Sequence, residues 1–447
     1  MAFSDLDVWM NGQHVGLWFW SRTGTPGFKY ADSWTSSPNA RPLSVSLPMP
    51  AGGGDVMGPQ VEHYFDNLLP DSTRIRDRLR RRFKTPSTRA ADLLAAIGRD
   101  CVGALQLLPQ GSTPPLHHQI NSTPLTDNQV ETLLGQVTGD GSVETDIAAD
   151  FRFSIAGAQE KTALLKIGQQ WHLPAGATPT THIFKLPLGL VGNMRADMFE
   201  SVENEWLCAQ LLGELGFEVA ATEMARFGRQ KVLIVERFDR RWMDGNRWIA
   251  RLPQEDFCQA TGTAGDLKYE SDGGPGIRAA LSLLAGGSHA RADSLTFIKT
   301  QLAFWLMAAT DGHAKNFSIF LTRGGGFHMT PLYDVLSVWP IIGNGDNLIS
   351  PRRAKLAMAV RGKNAHYHLH EIHTRHWQGL ARQSGVPGAF EAMVALVQQV
   401  PEALARMAAK LPADFPPKVF EPIQAGLLAQ AKKFMDELNQ VPPGTGE

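Results

Sequence analysis

Hydrophobic and polar positions alternate from the start of the chain. Leu6-Asp7-Val8-Trp9-Met10 alternates and stops at Asn11-Gly12, and Val15-Gly16-Leu17-Trp18-Phe19-Trp20 resumes. This predicts two strands joined by a favoured two-residue turn. Phe28-Lys29-Tyr30 and Leu43-Ser44-Val45-Ser46-Leu47 predict further strands, so residues 1 to about 50 read as a small antiparallel sheet. The period then lengthens. Val61 to Leu69 predicts a helix ending at Pro70, and Asp71 or Ser72 can cap the next one. Ala90 to Ile97 predicts a third helix and Ala104 to Leu108 a short strand. Residues 109–124, rich in Pro, Thr and Ser, read as a linker or long surface loop.

A second unit begins near 125, with a helix from Asp127 to Leu134. Phe151 to Leu165 reads as strand, tight turn, strand, and Thr181-His182-Ile183-Phe184-Lys185-Leu186-Pro187 as an alternating strand. Lys185 then points away from Phe184 and Leu186, toward solvent or into a cleft. Met194 to Glu200 has no clear pattern and reads as a loop. Ser201 to Leu212 predicts a helix, with Ser201 as a possible cap, and Lys231 to Asp239 a strand running into a polar bend. Tyr269 to Gly276 is turn-rich. Ile277 to Leu284 and Phe297 to Thr310 predict helices, Phe317 to Leu321 and Lys355 to Val360 strands, and 386–409 and 420–438 amphipathic helices.

Composition narrows the classes. The 447 residues suffice for two or three domains, and 22 Phe with 11 Trp exclude a disordered chain. A formal charge of -1 excludes a generic polyanion binder, so any nucleic-acid contact must be a local patch. The strongest patch is Arg74, Arg76, Arg78, Arg80, Arg81 and Arg82, which is a solvated helix face or a contact for phosphate or an acidic partner. Cys101, Cys208 and Cys258 are too scattered for a disulfide framework or a zinc site and point to a reducing cytosol. The acidic N-terminus lacks a secretory pattern, and the greasy run from Phe297 to Ala309 is too short to span a bilayer. His366, His368, His370, His373 and His376 read as surface or helix-cap histidines, because no carboxylate or cysteine completes a metal pattern.

The candidate chemistry lies in Ala309-Thr310-Asp311-Gly312-His313-Ala314-Lys315-Asn316-Phe317 and in Thr330-Pro331-Leu332-Tyr333-Asp334. Asp311, Asn316 and Asp334 offer oxygens at the end of a hairpin, which suits Mg²⁺ and phosphoryl transfer. Asp-x4-Asn followed by a second Asp after one hairpin is the order of parts in protein kinases. The small residues Ala156, Gly157 and Ala158, with Lys161 beyond them, make an anion-binding turn or a plain hairpin, and match neither a P-loop nor a kinase glycine-rich loop. Glu203 or Glu205 could support Lys185. They lie two apart on a helix and cannot face the same way, so the pattern does not choose between them.

Several strings together resemble the HipA family, the kinase toxins of bacterial toxin–antitoxin modules. They are Phe65-Asp66-Asn67-Leu68-Leu69-Pro70-Asp71-Ser72, Ile97-Gly98-Arg99-Asp100, Ser154-Ile155-Ala156-Gly157-Ala158-Gln159-Glu160-Lys161-Thr162, Thr180 to Pro187, Val235 to Trp242, Leu252-Pro253-Gln254-Glu255-Asp256, Thr310 to Phe317, and Tyr333-Asp334. The resemblance covers nearly the whole chain, in order. It implies an α+β, two-lobed protein-kinase-like fold with an elaborated N-terminal lobe and an all-helical C-terminal lobe. The expected parts are an N-terminal subdomain at 1–110, a kinase core with phosphate loop, ATP lysine and hinge at 125–250, and a C-lobe at 251–447.

The resemblance also implies transfer of the γ-phosphoryl of ATP to Ser or Thr of a protein. Asp311 would be the base, Asn316 and Asp334 the Mg²⁺ ligands, and Lys185 the lysine on the ATP phosphates. Ala156, Gly157, Ala158, Gln159 and Lys161 would cover the phosphates, Glu236, Arg237 and Phe238 would supply the adenine hinge, and His313 and Lys315 would complete the nucleotide contacts. Ser154 would be an autophosphorylation site that switches the kinase off. The implied partners are a HipB-like helix-turn-helix antitoxin dimer, operator DNA through that complex, and glutamyl-tRNA synthetase as substrate, in the cytoplasm and partly at the nucleoid. Gly312-His313 departs from usual kinase catalytic-loop wording, and Val335 follows Asp334 where most protein kinases carry Phe-Gly, so the family is an outlying one. A small-molecule kinase on the same scaffold and a non-catalytic co-repressor are the alternatives.

Overall fold

The computed structural model describes residues 5–138, 159–192 and 194–440. The chain forms two units, each drawn from separated stretches. The first comprises Met1–Leu186, Ala225–Lys268 and Ser318–Thr330, and the second Pro187–Met224, Tyr269–Phe317 and Pro331–Glu447.

In the first unit, Leu6–Met10 pairs antiparallel with Gln13–Trp20. Asn11 and Gly12 between them both have positive φ, 45° and 77°. That is the turn whose twist matches the flanking strands, and only Asn, Asp or Gly enters it readily. Pro26–Tyr30 and Asp55–Met57 extend one edge of this sheet and Leu105–Pro109 the other. Trp18, Phe28, Tyr64 and Phe65 fill the core between the sheet and the helices Pro59–Asp66 and Ala90–Ile97. Leu43 to Leu47 is a correction, since it forms a turn closed by Leu47 N–H on Ser44 O, with only an isolated bridge. Leu43 and Leu47 are buried, but the Val45 N–H is taken by the Glu255 carboxylate, so no neighbouring strand can use it.

A six-stranded sheet carries His182–Lys185 between Gln230–Glu236 and Lys161–Ile167. Its core holds Leu164, Trp171, Phe184, Val232 and Ile234 under the Asp127–Thr138 helix. Gln254–Asp256, Ser318–Leu321 and Phe327–Met329 form a three-stranded antiparallel sheet. Asp256 then starts a short helix through a capping box with Gln259.

The second unit is built on Ala290–Met307, which buries residues around its whole circumference and so behaves as a core helix. Ser201–Glu214, Ala389–Lys410 and Pro417–Gln440 pack against one another, and the last two also against the core helix. Ser201 is not the cap of its helix. Glu200 holds that position, and Ser201 Oγ instead accepts from Leu188 N–H at 2.9 Å. Residues 194–200 are also more regular than their pattern suggests, because Ala196–Met198 pairs with Gly189–Val191.

The expectation of an all-helical C-terminal lobe is corrected here. The 251–447 range contains the three-stranded sheet and a further pair, Lys355–Arg361 with Ala365–His368. Leu356 to Val360 are buried at every position, and an extended segment covered on both faces can be apolar throughout. Among the described residues no helix is long and apolar enough to cross a membrane.

Candidate active site

In the second unit, the core helix ends at Ala308, a left-handed cap (φ 49°, ψ 43°) whose N–H donates to Phe304 and Trp305 carbonyls. The chain turns sharply there and presents Asp311, whose side chain is 63% exposed. Gly312 follows because a Cβ would lie 2.4 Å from the Phe304 ring. His313 N–H donates to Asp311 O at 2.8 Å, Asn316 N–H to His313 O at 2.9 Å, and Asn316 Nδ2 to Asp311 O at 2.7 Å. One tight loop therefore carries Asp311 outward and Asn316 and Lys315 buried beneath it.

The second segment is tied to the same loop. Tyr333 Oη donates to Lys315 O at 2.9 Å. Asp334 sits at φ 59°, a region uncommon for a residue with a Cβ and held here by its surroundings. Downstream, Ser337 Oγ donates to Met307 O at 2.5 Å, and Ser337 exchanges two bonds with the Asn204 side chain, 2.8 and 2.9 Å. These anchors fix both flanks of Asp334.

Because Asn316 spends its Nδ2 on a carbonyl, its Oδ1 is the atom left to face a cation. Asp334, the other expected ligand, lies on the segment tied to this loop through Tyr333. Among the described residues no group of three or more His, Cys, Asp or Glu could cage a metal. The expected ligands are few and all oxygen, a set whose chemistry fits Mg²⁺ when phosphates and water complete its shell.

In the first unit, Lys185 is buried, and Lys161 is its direct cross-strand partner. The two side chains therefore project to one face, opposite Phe184 in the core. Of the two orientations left open for Lys185, the solvent-exposed one is excluded. Gln159 Nε2 donates to Leu186 O at 2.6 Å, and Glu160 accepts from Arg78. Ser154, Ala156, Gly157 and Ala158 lie outside the described residues.

Glu236, Arg237 and Phe238 separate in role. Glu236 is exposed, and the Phe238 ring meets Phe320 edge-on at 5.8 Å. Arg237 is buried, its N–H donates to Thr181 O, and its guanidinium bonds Asp239, Asp100, Thr180 Oγ1 and Cys101 O. Arg240 and Arg251 join the same cluster through Asp100. Burial pushes the Asp100 carboxyl up, but Arg240, Arg237 and Arg251 outweigh it and hold the group well below the usual carboxylate range. The Asp100 string drew notice in the sequence without any role attached. Its partners lie 80 to 151 residues away, too far for spacing to find.

Glu205 is buried and Glu203 only partly so. Of the Arg74–Arg82 helix, Arg76 forks onto Asp66 and Arg78 reaches Glu160, so part of its charge is neutralised within its own unit. His373 caps the Thr374–Ser384 helix and bonds Glu437 at 2.7 Å, while His366 stacks on His376.

Two family models match the chain in order, HipA N-terminal domain over residues 6–108 and HipA-like C-terminal domain over 153–410. A Sinorhizobium fredii protein called "Putative kinase Y4mE" is 34% identical over 91% of this chain and 92% of its own. The "Serine/threonine-protein kinase toxin HipA" of Shewanella oneidensis is 27% identical over 86% of this chain and 84% of its own. Among solved structures, a chain of the Shewanella oneidensis MR-1 toxin–antitoxin complex of HipA, HipB and operator DNA superposes with TM-score 0.80 at 25% identity, covering 98% of this chain and 99% of that one. With both family domains present in order and relatives matched nearly end to end, the chain belongs to the HipA family of protein kinases.

Proposed function

We propose that this kinase transfers the γ-phosphoryl group of ATP to a serine or threonine hydroxyl of a protein, with Asp311 as the base. The observation that carries this reading is the 2.7 Å bond from Asn316 Nδ2 to Asp311 O, which locks a would-be base and a would-be metal ligand into one loop. Asp311, exposed, takes the proton of the acceptor hydroxyl as its oxygen bonds the γ-phosphorus and the bond to ADP breaks. Asn316 and Asp334 would hold Mg²⁺, which when bound neutralises charge on the phosphate oxygens. Lys185 and Lys161, projecting to one face of their sheet, suit a polyanion such as the ATP phosphates. Glu236 and Phe238 would meet adenine through their backbone. Arg237 would hold the hinge in place from inside, since its N–H and side chain are already committed.

In this reading Ser154 is an autophosphorylation site, and added negative charge at the root of the phosphate loop opposes ATP. The target is glutamyl-tRNA synthetase, whose modification would stop tRNA charging and arrest growth. A HipB-like antitoxin dimer would restrain the toxin and join it on operator DNA. The similar Shewanella HipA, solved together with HipB and its operator DNA, supports that partnership.

The test is phosphoproteomics with γ-labelled ATP and Mg²⁺ on cell extract, comparing wild type with Asp311→Gln. Label on glutamyl-tRNA synthetase that disappears in the variant is the expected result. Label on a different protein discards the target and keeps the base. Label that persists undiminished in the variant overturns Asp311, and label on a metabolite pool and on no protein overturns the substrate class.

A further inference from the structure

Asp311 is mostly exposed, yet its carboxylate is not free to turn. Tyr269, 42 residues earlier in the same unit, donates its phenol hydroxyl to Asp311 Oδ1. His313 Nε2 lies 3.9 Å from the same oxygen, and the Tyr269 ring stands edge-on to the His313 ring, with centroids 4.9 Å apart and planes at 90°. Both neighbours address Oδ1. Oδ2 is left as the carboxylate oxygen that can receive a proton.

Tyr269 is itself held. It precedes the 3-10 turn Glu270–Asp272, and its carbonyl accepts from Asp272 and Gly274 N–H. The neighbouring Glu270 side chain accepts from Ala359 N–H at 2.6 Å and from the Arg361 guanidinium, pinning the turn to the Lys355–Arg361 strand. Gly273 closes the turn at φ 100°, a conformation that excludes most side chains. The turn-rich stretch from Tyr269 to Gly276 is therefore a rigid bracket.

We propose that Tyr269 is a positioning residue for the phosphoryl-transfer reaction, holding Asp311 Oδ1 so that Oδ2 is the oxygen offered to the acceptor hydroxyl. This rests on the reading of Asp311 as the base. The hydroxyl fixes the rotation of an exposed carboxylate, which free in solvent would sample several rotamers.

The experiment uses full-length Tyr269→Phe, which removes one oxygen and keeps the ring against His313, beside Asp311→Gln and wild type. Steady-state kinetics are followed with ATP and the protein substrate varied in turn. The expected result is a kcat lower by about ten-fold, with KM for ATP unchanged, since only orientation at the base is lost. Glu270→Gln, which weakens the bracket at Arg361 and leaves the hydroxyl in place, should lower kcat by a smaller factor. Tyr269→Phe with wild-type kcat, while Asp311→Gln is inactive, overturns the proposal and leaves Asp311 as base. Activity retained in Asp311→Gln overturns the underlying reading as well. A fall in kcat accompanied by a rise in KM for ATP would reduce Tyr269 to a packing residue, also against the proposal.

Discussion

Lys161 and Lys185 stand directly opposite each other on neighbouring antiparallel strands. Two cationic side chains on one face of a sheet suit a polyanion such as the ATP phosphates. Lys185→Met should therefore weaken ATP about ten-fold or more and shrink the rise in Tm that Mg²⁺–ATP gives. Thermal melting with and without Mg²⁺–ATP checks both. A nucleotide-induced rise in Tm equal to that of wild type would remove Lys185 from the phosphate site.

Asn316→Ala removes the bond that holds the loop onto Asp311 O and also the oxygen left for a cation. Stability should fall by about 1 kcal/mol, the worth of one hydrogen bond. The transfer rate should fall far more, by about 10²-fold. The Mg²⁺ concentration for half-maximal rate should rise, which a metal titration of the initial rate would reveal. An unchanged metal requirement would exclude Asn316 as a ligand.

Asp100 is surrounded by Arg237, Arg240 and Arg251, all buried. Asp100→Asn keeps its shape and strands buried positive charge, so it should cost about 3–5 kcal/mol in urea unfolding. The sign with pH follows from its depressed pKa. Asp100 contributes stability above the ordinary carboxylate range and loses it only as pH falls through its lower folded value. The gap between wild type and variant should thus stay level from neutral pH down to about pH 4 and shrink only in stronger acid.

Glu255 titrates the other way. Buried beside the Val45 N–H, its carboxyl is pushed from 4.5 to about 8, chiefly by burial. A folded value above the unfolded one means that its contribution is fully present below about 4.5 and is lost as pH rises through about 8. Glu255→Gln keeps an oxygen for Val45 and removes the titration. The variant should gain on wild type between those two pH values, by about 1.4 kcal/mol per pH unit at most. Stability curves that run parallel across that window would show that Glu255 is ionised in the fold.

The sequence by itself determined what local chemistry decides. Asn11-Gly12 specifies its hairpin because few other residues accept positive φ twice in succession. Ala90–Ile97 follows from its helical period. Asp311 and Asn316 lie close enough along the chain for one loop to hold both, so their proximity was legible before any fold was known. Tertiary structure decided everything that depends on distant partners. Alternation told that Lys185 faces away from Phe184, but only strand register set Lys161 opposite it. A turn-rich stretch announced itself around Tyr269 without revealing that its hydroxyl would meet Asp311. The sequence attached no role to Asp100 and assigned Arg237 to the expected adenine hinge, and only the fold shows both buried in one ionic cluster. The reason is physical: backbone preference acts over a few residues, whereas burial and pairing depend on which segments packing brings together.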